Sequence, residues 1–290
     1  MAAKAQALAK IAVTAPSTDG LSPRNFKQLS AFIYDRTGIR MPPSKQTMLE
    51  GRLRRRARAL DAETLNEYCA MVLQGEVDDS ELVHLINAVT TNKTDFFREP
   101  RHFDYLRNTL LPAYQAAGRR SISAWSAACS IGAEPYTLAM VLDDYAQAHG
   151  GPDYAILATD LDTNVLATAI RGIYSEEMLE PVPALLRQRY VMQANDRRRG
   201  EGRIVPELRS RIGFAQLNLM DSHYPIGKPV DMIFCRNVLI YFDKPTQQKV
   251  VSRLCDNLVS GGYLFLGHSE SITGLDLPLT PASNTVFKRK

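Results

Sequence analysis

The feature that most constrains the fold is an alternation that sets in near residue 120. Short apolar runs of strand character at 122–127, 155–159, 212–217, 232–235, 263–266 and 285–287 are interleaved with helical patterns at 134–148, 163–171 and 244–258. Such alternation predicts an α/β unit, a mostly parallel sheet covered by helices. One stretch departs from it. Residues 187–211 are polar, Arg-rich and contain Gly200 and Gly202, and they read as an inserted antiparallel hairpin or small β-subdomain.

The chain before this region has a different texture. Ser22-Pro23 is a helix start, with a capping hydroxyl followed by proline at the first helical position. Phe26, Leu29, Phe32 and Ile33 follow at helical spacing and Gly38 ends the run. A second helix follows Pro42-Pro43, with Ser44 as the expected cap and Leu49, Leu53, Ala57 and Leu60 as its apolar stripe. A third carries Leu65, Tyr68, Cys69 and Val72. A fourth starts near Asp79 or Ser80 and carries Leu82, Leu85, Ile86 and Val89. The expected organisation is a disordered tail at 1–20, an all-α domain at 21–90, a linker at 91–118, and the α/β domain at 119–290.

At 290 residues the chain can bury a large core without disulfides or metals. Its four cysteines form no close pair and its five histidines show no ligand spacing, so no metal site and a reducing, cytoplasmic setting are expected. No apolar run approaches the ~18 residues of a membrane span. The net charge of +4 is unevenly spread: residues 1–60 carry 12 Lys/Arg against 3 Asp/Glu, which leaves the rest slightly acidic. Five of the seven residues 52–58 are arginine. Arg52, Arg55 and Arg56 share a helical face, so either a solvated surface or a docking site for an acidic partner fits them.

Several segments have the residue types of a ligand site. The turn after the first strand, Cys129-Ser130-Ile131-Gly132-Ala133-Glu134-Pro135, is made largely of small residues but lacks the G-x-G-x-x-G fingerprint. A pyrophosphate cradle is therefore poorly supported. The second strand ends in Thr159-Asp160-Leu161-Asp162. An acid there either accepts from ribose hydroxyls or caps the next helix, and two acids permit both, with Asp160 binding and Asp162 capping. Arg98 follows Phe96-Phe97 in a segment that is either a packed linker or a flap over a ligand. Arg236 and Asn237 stand where a parallel strand ends, and Tyr241 follows them.

Taken together these segments resemble the chemoreceptor glutamate methyltransferases, the CheR family. The matching pieces are N-A-V-T-T-N-K-T-D-F-F-R-E (87–99), W-S-A-A-C-S-I-G-A-E-P-Y (125–136), A-T-D-L-D (158–162), F-C-R-N-V-L-I-Y-F (234–242) and G-H-S-E (267–270). The resemblance covers nearly the whole chain from residue 22. It implies a class I, Rossmann-like methyltransferase domain with a small inserted antiparallel β-subdomain, preceded by an all-α domain. It implies S-adenosyl-L-methionine as methyl donor, S-adenosyl-L-homocysteine as product, and glutamates on the cytoplasmic helices of chemotaxis receptors as substrate. A receptor tail peptide at the β-subdomain is a further implied partner, and nucleic acid is not one. The implied cofactor contacts are Asn92, Thr94, Arg98, Glu134, Asp160, Asn218, Leu219, Arg236 and Asn237. The implied catalytic pair is Arg98 and Tyr241, and the implied receptor-facing group is Arg52, Arg55, Arg56 and Arg58. The family turn usually reads S-T-G-E-E-P-Y, so Ile131 and Ala133 are departures and Glu134 is the acid that is kept. Those departures motivate a second reading, a regulatory protein that binds the cofactor or its product with little catalysis.

Overall fold

The structure, a computed structural model, describes residues 20–290. The expected tail at 1–20 lies outside them except for Gly20. The first layer is four helices: α1 (Pro23–Thr37), α2 (Gln46–Ala59), α3 (Leu65–Gln74) and α4 (Asp79–Val89). The Ser22 side chain accepts from the Asn25 N–H, and Gly38 closes α1 in the left-handed conformation. Ser44 is not the cap of α2. It lies inside a 3-10 turn, Pro43–Lys45, that runs straight into the helix, and no side chain caps α2. Asp78 caps α4. Leu29, Leu49, Leu53, Tyr68, Cys69, Leu85 and Val89 form the core of this layer.

The segment expected as a linker is mostly helical. It contains α5 (Arg101–Tyr105), a π-helical turn (Leu106–Leu110) and α6 (Leu111–Ala116). Phe103, Leu106, Leu110 and Leu111 fasten it to the following domain as part of that domain's core.

The α/β part contains β1 (Ser121–Ala127), α7 (Ala133–His149), β2 (Asp153–Asp160), α8 (Thr163–Arg171), β3 (Ile173–Ser175), α9 (Glu176–Leu179), α10 (Ala184–Tyr190), β4 (Val191–Gln193), β5 (Glu201–Ile204), α11 (Pro206–Arg209), β6 (Ile212–Gln216), β7 (Val230–Cys235), α12 (Lys244–Asp256), β8 (Leu258–Leu266), β9 (Leu279–Ser283) and β10 (Val286–Arg289). The main sheet runs β6-β2-β1-β7-β8-β10-β9. Its first five strands pair in parallel and the last two antiparallel. Alternate residues enter opposite cores: Ile122 and Ala124 of β1 and Met232 and Phe234 of β7 pack on one face, whereas Trp125, Ala127, Ile233 and Cys235 pack on the other. Burial on both faces is why these strands read as unbroken apolar runs.

The antiparallel insertion is a three-stranded sheet, order β3-β5-β4. It therefore draws a strand from Ile173–Ser175, outside the stretch 187–211 assigned to it from composition. A three-residue strand that follows a helix directly leaves no periodic signal. The strand β9 was missed for a related reason, since it is exposed and interrupted by Pro281.

Candidate active site

In an open α/β sheet, ligands bind beyond the carboxyl ends of the strands where the connections diverge. Here the loops after β1, β2, β6 and β7 meet there and surround a cleft that is partly open to solvent. Ten residues singled out from sequence all line it: Asn92, Thr94, Arg98, Glu134, Asp160, Asn218, Leu219, Arg236, Asn237 and Tyr241. Thr37 and Ile39, at the end of α1 and just beyond it, complete the wall from the helical layer.

The β1 loop is braced by an acid. Asp160 is buried, its Oδ2 accepts from the Ser130 N–H at 2.8 Å, and its Oδ1 accepts from the Asp162 N–H at 2.9 Å. Burial pushes its carboxyl above the ordinary range, although those N–H donors work against it. Asp162 does the capping, accepting from the N–H groups of Asn164 and Val165. Its other oxygen takes hydrogen bonds from Thr90 Oγ1 at 2.8 Å and Asn92 Nδ2 at 2.7 Å. Asn92 thus spends its amide fastening the interdomain segment to the second strand end, and its carbonyl accepts from Ser130 Oγ. The turn is closed by Gly132 at φ +92°, where a Cβ would stand 2.8 Å from Ala169 Cβ. Only glycine meets both demands.

The departures from the family turn do not face the cleft. Ala133 is fully buried in the core, and Ile131 packs against that core while its carbonyl accepts from Tyr174. Glu134 is the acid at the cleft wall. It accepts from Ser126 Oγ at 2.6 Å and from Arg236 Nη1 at 3.0 Å. Arg236 is 2% exposed and also reaches Glu99 at 3.0 Å and the Arg98 carbonyl.

Sequence reasoning gave no role to Glu99 or Glu270. Glu99 accepts from Arg236, from Asn237 Nδ2 and from the His268 N–H. Burial presses its carboxyl upward, but the Arg236 charge and these hydrogen bonds outweigh burial and hold it down at about 2. Glu270 is buried and accepts from the N–H groups of Asn237 (2.9 Å), Leu239 (2.7 Å) and Gly267 (2.5 Å). It clamps the loop that carries Asn237, at φ +60°, and Tyr241. Both acids lie at the ends of quoted motifs, but nothing local says that they face each other's loops.

The helical layer supplies further contacts at the cleft. Arg36 O accepts from Asn218 Nδ2, Tyr34 donates to Asp243 at 2.6 Å, and the Arg40 N–H donates to the Tyr241 carbonyl. The Lys45 ammonium lies 5.2 Å from the centre of the Tyr241 ring. Arg98 donates to the Lys93 carbonyl at 2.9 Å.

The arginine group on α2 divides. Arg56 is paired with the buried Glu81, which also accepts from Tyr68. Arg52 donates to the carbonyls of Ala88 and Thr90 at the end of α4. These two therefore hold α2 against α4 instead of facing outward together, while Arg55 and Arg58 are exposed. No acid stands within residues 52–58, and the one that pairs with Arg56, Glu81, is 25 residues away.

A helix-covered open sheet of this order, with a cleft at the carboxyl ends of its parallel strands and an acid at the second strand end, is the architecture expected of a class I, Rossmann-like methyltransferase. The comparisons with known proteins give the particular family. The CheR methyltransferase SAM binding domain matches residues 92–287, and the CheR methyltransferase all-alpha domain matches residues 24–90. The chemotaxis protein methyltransferase of Klebsiella aerogenes is 37% identical over 97% of this chain and 93% of its own length. That of Escherichia coli is 39% identical over 92% of this chain and 91% of its own length. Chemotaxis protein methyltransferase 2 of Pseudomonas aeruginosa is 38% identical over 91% and 92% respectively. The chain belongs to the CheR methyltransferase family, and its cofactor is S-adenosylmethionine.

The cleft suits that cofactor by the chemistry of its donors. A buried carboxylate at Asp160 suits ribose hydroxyls. Glu134 offers an anion for an amino group, and Arg98 a fork for a carboxylate. Among the described residues no helix is long and apolar enough to cross a membrane.

Proposed function

We propose that this chain transfers the methyl group of S-adenosylmethionine to the side-chain carboxylates of glutamates on chemotaxis receptors, forming methyl esters. The relatives named as chemotaxis methyltransferases support the pathway. The observation that carries the site is the convergence of Arg98, Glu134, Asp160, Arg236, Asn237 and Tyr241 on one cleft. The bound cofactor supplies an electrophilic methyl on a sulfonium. A glutamate carboxylate, ordinarily of pKa about 4.3, is already ionised at neutral pH. Its oxygen would take that methyl from the sulfonium held by Glu134 and Asp160, the carbon–sulfur bond pair staying on sulfur so that S-adenosylhomocysteine leaves. No proton moves, so no general base is required. The work left to the protein is alignment and exclusion of water. In this reading Arg98 holds a carboxylate, Tyr241 orients the attacking oxygen, Glu134 and Asp160 hold the cofactor, and Asn92 and Asn218 keep the walls in place.

Arg55 and Arg58 are the members of the α2 group left exposed to meet an acidic receptor helix, with Arg52 and Arg56 setting the pose of α2. A receptor tail peptide would add at one open edge of the small sheet, whose two edge strands carry the solvent-exposed Ile173 (β3) and Met192 (β4). Extended peptides add to such edges through main-chain hydrogen bonds. The test is transfer of tritiated methyl from labelled cofactor to receptor, with RNA and buffer as controls. Base-labile label on receptor glutamates is expected. Tyr241→Phe should lower turnover more than cofactor affinity, and Arg55→Glu with Arg58→Glu should raise the receptor KM while cofactor binding stays. Label on RNA, or cofactor binding with no transfer to any acceptor, would overturn the reading; the second is the regulatory alternative.

A further inference from the structure

We propose that Glu99, His102 and His268 form a binding site for a divalent transition-metal ion, with zinc the best match to one carboxylate and two imidazoles. One ligand atom from each lies within 4.8 Å of the other two. Glu99 Oε2 and His102 Nδ1 are 3.6 Å apart. Two ligand atoms on a tetrahedral zinc with bonds of about 2.1 Å are separated by about 3.4 Å. The His268 ligand atom, within 4.8 Å of both, closes the set by moving inward.

His102 carries the argument. Its side chain is 2% exposed, and Nδ1 is buried without a hydrogen-bond partner. The other nitrogen, Nε2, lies 2.8 Å from Thr285 Oγ1. That hydroxyl has the Asn284 carbonyl at 2.8 Å as an acceptor for its own proton, and in the arrangement that uses it the ring donates at Nε2. Nδ1 is then a bare lone pair aimed at a carboxylate oxygen. Two acceptors facing each other in a buried place are unfavourable, and a cation between them removes the conflict. The bond from Nε2 to Thr285 is the kind of outer contact that fixes the tautomer of a metal-bound histidine.

The other ligands fit the same role. Glu99 Oε1 takes hydrogen bonds from Asn237 and His268, and Oε2 takes one from Arg236. Oε2 therefore keeps a lone pair for an ion. The exposed His268 ring, 5.4 Å from that of His102, opens the site to solvent and gives an entry path. Arg236 opposes a cation, but it sits 3.0 Å from both Glu99 and Glu134, so the group carries a net negative charge. An ion there would tie the segment that carries Arg98 to the loop after β8. Local spacing conceals the site, because its third ligand lies far along the chain.

The test is titration of Zn2+ and Co2+ into the tag-free full chain, followed by calorimetry and by visible absorption of bound cobalt. The expected result is one ion per chain with micromolar affinity, and cobalt bands that zinc displaces. His268→Ala, which removes an exposed side chain, should weaken binding by more than about tenfold. Glu99→Gln, which nearly keeps the shape, should do the same, with circular dichroism reporting the fold. The absence of stoichiometric binding, or equal affinity in wild type and both variants, would overturn the site.

Discussion

Replacing Glu270 with glutamine removes one negative charge from a buried clamp without changing its size. In the wild type, Oε1 accepts from the Leu239 N–H and Oε2 accepts from those of Asn237 and Gly267. An amide has one acceptor and one donor end. Its best orientation puts the oxygen where Oε2 was, which keeps two bonds and points an N–H2 group at the Leu239 N–H. A lost bond to a charged acceptor costs about 1.5–3 kcal/mol, and the buried donor left without a partner adds about 1–3 kcal/mol. Burial already pushes the carboxyl upward, so neutralising it returns part of that cost. The expected net loss is about 2–3 kcal/mol, read in urea unfolding as a lower midpoint at unchanged slope. Because the loosened loop carries Asn237 and Tyr241, turnover should fall by roughly tenfold or more, the factor that about 1.4 kcal/mol of misalignment produces. Glu270→Asp, which keeps the charge but shortens the reach, should fall between wild type and Glu270→Gln. A Glu270→Gln protein within about 0.5 kcal/mol of wild type and with full turnover would refute the clamp.

Three further outcomes are expected. The Glu99 carboxyl ordinarily titrates at 4.5 and is held at about 2 in the fold, so its contribution is complete above 4.5 and is lost as pH falls towards 2. Unfolding midpoints measured from pH 6 to pH 3 should therefore fall more steeply for wild type than for Glu99→Gln. Arg56→Ala leaves the buried Glu81 charge without its partner and should cost about 2–4 kcal/mol in urea unfolding, whereas Arg55→Ala, at an exposed position, should stay within about 0.5 kcal/mol. Asp160→Ala should abolish calorimetric binding of both S-adenosylmethionine and S-adenosylhomocysteine, since it removes an expected ribose acceptor and unties the Ser130 turn; unchanged affinity would show that Asp160 is only a brace.

The periodicities of the chain determined much of its architecture. The alternation after residue 120 yields a parallel sheet because strands buried on both faces must be apolar throughout. Ser22, Pro23 and Gly38 mark the ends of α1 because capping is a local matter of one side chain and the nearest N–H groups. Glu134, Asp160, Arg236 and Asn237 were legible for a similar reason, since strand ends and the turns after them are contiguous in sequence; Asn92, Thr94, Asn218 and Leu219 were named only by the family resemblance. The tertiary structure alone decided how charges are paired. Arg56 finds Glu81, Arg236 finds Glu99 and Glu134, and Glu270 finds the backbone of Asn237 and Leu239, each across at least 25 residues. It also brought His102 beside His268. A composition or spacing rule sees only neighbours along the chain. Electrostatic and hydrogen-bond partners are chosen by distance in space, which is set only when the helical layer, the interdomain segment and the sheet have packed together.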